Sequence, residues 1–192
     1  VAEIRHLTIN NTGGDSVSIG VNTEDVVDGT VSMLHVTATG TGGTLSNAGV
    51  HNEASSPSMT DVTATATGGI TSSYGVYNEA SSPSMTNVTA TATDGTNSYG
   101  VYNHSSSPSM MNVTATATGG TWDNYGVANL SSSSPSVRNS SFTGDDGSIY
   151  NSVTSSAQVA DTMLDGTVTA GGGLACVGAY DETFSALNAS CS

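Results

Sequence analysis

Lysine is missing from all 192 residues, and Arg5 and Arg138 are the only permanent cations against 16 acidic residues, for a formal net charge of −14. A chain with no basic footprint cannot neutralise phosphates, so nucleic acid and anionic membrane are excluded as partners. No apolar run approaches the roughly 18 residues of a membrane span, and insertion into a bilayer is not expected. A basic, apolar-cored leader is also missing, and Val1 is read as a mature terminus left after leader removal. Charged residues make up only 9% of the chain, so the surface is mostly hydroxyl and amide, which suits a secreted or cell-surface protein. Cysteine is nearly absent. Cys176 and Cys191 stand alone near the C-terminus, without the C-x-x-C of redox catalysis or the second pair of a zinc site. They read as a disulfide that ties the tail over a final turn, in an oxidising compartment. Closing a loop of about 15 residues contributes roughly 3 kcal/mol.

Long apolar runs at a helical period are absent too, and what stands in their place is a repeat of about 25 or 26 residues. It is marked by Gly49, Gly75, Gly100 and Gly126, by Pro57, Pro83, Pro108 and Pro135, and by Val36, Val62, Val88 and Val113. Within one repeat, Val62-Thr63-Ala64-Thr65-Ala66-Thr67 alternates apolar and hydroxylated residues with period two, as a half-buried strand does. Gly68-Gly69 ends it, Tyr74-Gly75-Val76-Tyr77 supplies a second strand, and a third short piece, Ser84-Met85-Thr86, follows the Ser-Ser-Pro corner. Three short strands with Gly, Asn and Pro punctuation make one turn of a parallel β-helix. The spacing predicts an all-β solenoid of about seven turns, roughly 30 to 35 Å long at the strand spacing. It is read as a single domain over 1–192. Residues 1–30 form an irregular N-terminal turn, 31–155 the regular repeats, and 156–192 a last turn and cap.

Stacked turns place like residues over like. Asn52, Asn78, Asn103 and Asn129 should form a corner ladder of amides, Met33, Met59, Met85 and Met110 an interior row, and Tyr74, Tyr99 and Tyr125 a further ladder. His6, His35 and Asp61 should share one row, the weak candidate for a metal site, against the simpler reading of a surface ladder that continues as Asn87 and Asn112. No metal and no cofactor is expected. Seven N-x-S/T sequons, at Asn10, Asn87, Asn103, Asn112, Asn129, Asn139 and Asn188, mark candidate glycosylation points.

The repeat resembles those of right-handed parallel β-helix proteins of the pectate-lyase-like superfamily, and within it the secreted bacterial type that reads Ser81-Ser82-Pro83, Asn87-Val88-Thr89, Tyr99-Gly100-Val101-Tyr102-Asn103. The resemblance implies a right-handed β-helix and a range of activities that includes polysaccharide lyases and hydrolases, tailspikes and adhesins. A lyase of this kind would carry a basic proton abstractor beside acidic calcium ligands, and the two arginines lie in opposite end regions. A hydrolase needs two carboxyls across a cleft, whereas Asp145-Asp146 between two glycines reads as a solvated turn, as do Asp94-Gly95 and Asp165-Gly166. No catalytic residue is assigned, and the chain is read as non-enzymatic.

The leading expectation is a non-enzymatic extracellular structural or interaction protein that associates with itself end to end into a filament or surface assembly, because the segment Val1 to Ile9 begins as strand with no capping helix and an uncovered sheet end invites another strand. The second is an ice-binding solenoid. Its array would be Thr37, Thr39 and Thr41, then Thr63, Thr65 and Thr67, then Thr89, Thr91 and Thr93, then Thr114, Thr116 and Thr118. Such grids are similar to the flat ice-binding faces of several β-solenoid antifreeze proteins. A third reading is a carbohydrate-binding or polysaccharide-active β-helix, so the partners considered are the protein itself, glycans and ice.

Overall fold

A computed structural model describes residues 2–26 and 31–192. It is an all-β parallel solenoid of about six turns. The first turns are built from β1 (Ala2–Asn11), β2 (Val17–Glu24), β3 (Val31–Thr41), β4 (Ser46–Glu53), β5 (Ser58–Thr67) and β6 (Ser72–Glu79). The middle turns follow as β7 (Ser84–Thr86), β8 (Thr89–Thr93), β9 (Asn97–His104), β10 (Ser109–Met111), β11 (Thr114–Thr118) and β12 (Asn124–Leu130). The last are β13 (Ser136–Arg138), β14 (Ser141–Gly144), β15 (Gly147–Asn151), β16 (Ser156–Ala160), β17 (Met163–Asp165), β18 (Val168–Ala170), β19 (Gly173–Val177) and β20 (Tyr180–Asp181). Two sheets result. A 13-stranded sheet carries the threonine strands, and a 7-stranded sheet in the order β18-β15-β12-β9-β6-β4-β2 carries the tyrosines.

The third strand piece belongs to the first sheet rather than to a wall of its own. Ser84–Thr86 and Thr89–Thr93 both pair with β5, which runs through the same positions unbroken. Between the two pieces one residue per turn takes a left-handed backbone: His6 (φ 50), His35 (φ 53), Asp61 (φ 53), Asn87 (φ 53), Asn112 (φ 54), Asn139 (φ 48) and Asp161 (φ 49). Asn, Asp and His are the non-glycine residues that tolerate this region best. The kink shifts the period-two alternation by one residue, so that Met59 and Val62, three apart, both point inward.

The interior is a set of columns. Met33, Met59, Met85 and Met110 are closed to solvent, as are Val36, Val62, Val88 and Val113 and the valines Val50, Val76, Val101 and Val127 of the facing sheet. Where the two sheets come closest, one side is alanine and the other glycine. A Cβ on Gly75 would sit 2.6 Å from the amide nitrogen of Thr91 across the core and 2.5 Å from the carbonyl oxygen of Gly100 above it, so no side chain fits.

The N-terminal strands stack in register on the turn that follows. Leu7, Thr8 and Ile9 stand opposite Val36, Thr37 and Ala38, and Thr23 takes the place of the ladder asparagine. Beyond β20 the chain turns back on the last turn. Tyr180 forms an antiparallel bridge with Ala186, the Leu187 N–H donates to the Ala179 carbonyl, and the Cys176 N–H donates to that of Ala189. Cys176 and Cys191 are disulfide-bonded with their Cα atoms 5.4 Å apart, and both are buried.

Candidate functional site

The threonine array forms as the spacing predicts. Thr37, Thr63, Thr89 and Thr114 lie in one column, Thr39, Thr65, Thr91 and Thr116 in a second, and Thr41, Thr67, Thr93 and Thr118 in a third. Each threonine alternates with a buried alanine or glycine, which aims every hydroxyl and methyl outward. The first column is exposed and the other two are half-buried against their neighbours. Thr93 Oγ1 donates to Thr67 Oγ1 at 3.2 Å. Rungs are about 4.8 Å apart and same-face residues about 6.7 Å apart along a strand, so the face is a charge-free rectangular grid. Thr8 extends the first column at one end and Thr143 the second at the other, both missed by the sequence motif because their flanking residues differ.

The His6, His35 and Asp61 row exists, and the hydrogen bonds along it explain it as a surface ladder. His6 stacks on His35 with ring centroids 4.9 Å apart, and His35 Nε2 lies 3.3 Å from Asp61 Oδ2. Asn87 Nδ2 donates to Asp61 Oδ1 at 2.9 Å and Asn112 Nδ2 to Asn87 Oδ1 at 3.0 Å. Among the described residues no three His, Cys, Asp or Glu side chains gather as a metal-binding group. The residue types are those that the left-handed corner selects.

The asparagine ladder lies inside the wall rather than on a corner. Asn52, Asn78, Asn103 and Asn129 are fully buried, and each Nδ2 up to Asn103 donates to the Oδ1 of the next at 2.8 to 2.9 Å. Thr23 Oγ1 starts the chain by donating to Asn52 Oδ1 at 2.7 Å. Of the seven sequons, Asn103 and Asn129 are therefore closed to any modifying enzyme, while Asn10, Asn87, Asn112, Asn139 and Asn188 are exposed.

On the outer face of the second sheet the rings form a connected stack. Tyr74 and Tyr99 stack at 5.8 Å, Tyr77 stacks on Tyr74 at 4.9 Å, and His51 stacks on Tyr77 at 4.6 Å. Tyr102 meets Tyr74 and Tyr77 edge-on. Tyr125 keeps its register beside Tyr99. Burial raises the pKa of Tyr74, Tyr77, Tyr99 and Tyr102, that of Tyr102 to about 12. Burial lowers that of His51, against the pull of Glu53, Glu79 and Glu24. Most of the ring faces are spent on one another, so the stack stiffens the sheet more than it offers a platform.

The acidic turns hold corners together. Asp145 Oδ2 accepts the Gly119 N–H, and Asp146 Oδ2 accepts the backbone N–H and the side-chain amide of Asn124. Compared with protein families, curated proteins and solved structures, the chain has no match. The disulfide points to an oxidising environment, and no helix is long and apolar enough to cross a membrane.

Proposed function

We propose that the chain is a secreted, non-enzymatic β-solenoid of the pectate-lyase-like kind that works by presenting its threonine face to an ordered, repetitive surface, with ice as the surface whose lattice a hydroxyl and methyl grid suits. The observation that carries this reading is the in-register array of twelve threonines over four consecutive rungs. A strand face of this kind has no nucleophile with a base beside it, and its methyls and hydroxyls alternate at fixed spacing without a charge to disrupt ordered water. Thermal hysteresis and ice-crystal shaping of the purified protein test it. Both are expected for the native chain, and both should be lost in a Thr65→Tyr, Thr91→Tyr, Thr116→Tyr triple variant whose circular dichroism is unchanged. A native protein without either effect overturns the reading.

End-to-end association is the second reading, favoured by one observation. Leu7 is 49% exposed on β1, which among the described residues pairs only with β3. The antiparallel bridge of the tail argues against parallel stacking at the other end, so the association would join two like ends as a two-fold dimer. Sedimentation decides it: a dimer that Leu7→Asp dissociates supports the reading, and a monomer at high concentration removes it.

A further inference from the structure

The tyrosine stack parts at one place, and the register explains where. One column of the second sheet runs Tyr74, Tyr99, Tyr125 and then Gly147, and its neighbour runs Tyr77, Tyr102, Ala128 and then Tyr150. Tyr99 is drawn to Tyr74 and Tyr102, at ring distances of 5.8 and 4.9 Å. Tyr125 leans the other way, over Gly147, where an added Cβ would come within 3.0 Å of its Cε1, and it pairs with Tyr150 at 5.3 Å. The two rings are pulled apart although their backbones stay in register, and a pocket of about 200 Å³ opens between Tyr99, Tyr125, Tyr150, Leu130 and Asp123.

Three phenol rings and one carboxylate meet there. The carboxylate is held in place: the Asp123 N–H donates to Asn97 Oδ1 at 3.4 Å, the Asp123 carbonyl accepts the Ser98 N–H at 2.7 Å, and the Tyr99 hydroxyl donates to Asp123 Oδ2 at 3.3 Å. Burial first, and the Asp123 charge second, raise the pKa of Tyr99, so its phenol stays neutral. Among the described residues no permanent cation answers that charge. Arg5 and Arg138 both belong to strands of the first sheet, and the seven strands of the second carry neither lysine nor arginine. His104, beside Leu130 in the register, has its Nε2 taken up by the Ser131 hydroxyl at 2.9 Å.

The balance of rings to acceptors selects the cation. A primary ammonium or a metal ion gives up strongly held water and needs several oxygens in return, whereas this pocket offers one carboxylate. A fully methylated ammonium has no N–H to satisfy, presents methyl groups to apolar walls, and is attracted by ring faces, most strongly where water is excluded. We propose that the pocket is a binding site for a quaternary ammonium group of the choline type, with its methyls packed on Tyr99, Tyr125 and Tyr150 and its charge set against Asp123. Leu130 adds the aliphatic wall. The site lies on the sheet that does not carry the threonine array, and neither role depends on the other.

Proton NMR titration with choline tests this, with 3,3-dimethylbutan-1-ol as a control of the same shape that lacks the charge. The choline methyl resonance is expected to move upfield under the ring currents, and the alcohol should bind about tenfold more weakly. Asp123→Asn removes the charge at constant shape, and Tyr125→Leu removes a ring but keeps an apolar wall. Each should weaken choline about tenfold and leave the alcohol as it was, while Tyr125→Phe, which keeps the ring, should bind choline as the native chain does. Phosphatidylcholine vesicles distinguish the two sources of the group: flotation of the protein with them assigns a lipid headgroup, and choline binding without flotation assigns a free ligand. An alcohol that binds as tightly as choline, a choline resonance that does not move, or choline affinity unchanged by Asp123→Asn overturns the proposal.

Discussion

Asn78 shows what one residue does in a stacked wall. Its Oδ1 accepts from Asn52 and its Nδ2 donates to Asn103, and none of the three side chains reaches water. An amide donates upward and accepts downward at the same rung spacing, so a column of them satisfies itself. Asn78→Ala would leave a buried donor and a buried acceptor unpaired, each at about 1 to 3 kcal/mol. The expected loss of stability is therefore about 3 kcal/mol, read from a chemical-denaturation midpoint. A loss below about 0.5 kcal/mol, the level of an ordinary surface substitution, would mean that water enters the column. The repeat alone makes this ladder legible, since Asn recurs at one position. Thr23 is not legible in the same way, because a hydroxyl replaces the amide there and only the strand register reveals the match. The His6, His35 and Asp61 row is legible as a row but not in its cause, since a left-handed backbone leaves no period of its own in the sequence.

At the scale of the strand, glycine and the left-handed corner set the shape. Gly75 lies where the facing sheets approach, and Ala there would press against backbone on two sides. Backbone cannot swing away as a side-chain tip does, so Gly75→Ala should destabilise by about 1 to 3 kcal/mol through overpacking, whereas Ala80→Gly at an exposed corner with φ 47 should cost nothing or stabilise. Melting temperatures of the two variants compare them directly, and equal effects would refute the close approach. The tyrosine strands make a second prediction. A Tyr whose folded pKa is raised holds its proton more tightly in the fold, so its stabilising effect is complete below about pH 10 and is lost as pH rises toward its folded pKa. Tyr102 places that window between the ordinary value of 10.0 and about 12. Phenolate absorbance should therefore rise in step with loss of β-sheet circular dichroism across this range, and in Tyr102→Phe the unfolding should move to higher pH. The repeat spacing marks two columns, Tyr74 over Tyr99 and His51 over Tyr77 over Tyr102, but not the contact between them, because rings three residues apart on a strand meet only through the way the side chains lean on the folded sheet.

Over the whole molecule, each turn touches only its neighbours, so stability is a sum of interfaces and damage spreads from an end. The two ends are unlike. At the C-terminal end the tail reverses, seals Ala179 and Cys176 with antiparallel hydrogen bonds, and is held by the disulfide. That position is readable from two cysteines standing beyond the repeats, but the reversal is not, because the residues from Glu182 to Ser192 carry no alternation to fix a strand direction. Cys191→Ser opens a loop of about 15 residues and should cost about 3 kcal/mol, and the cost should fall on the last turn first. Hydrogen exchange is the measurement that separates local from global loss. Amides of Gly173 to Asp181 should lose protection in the variant, while those of the Thr63 to Thr67 and Thr89 to Thr93 segments keep theirs. Uniform loss along the chain would mean that the cap nucleates the entire stack, and the turns would then have to be treated as one cooperative unit rather than as neighbours in a row.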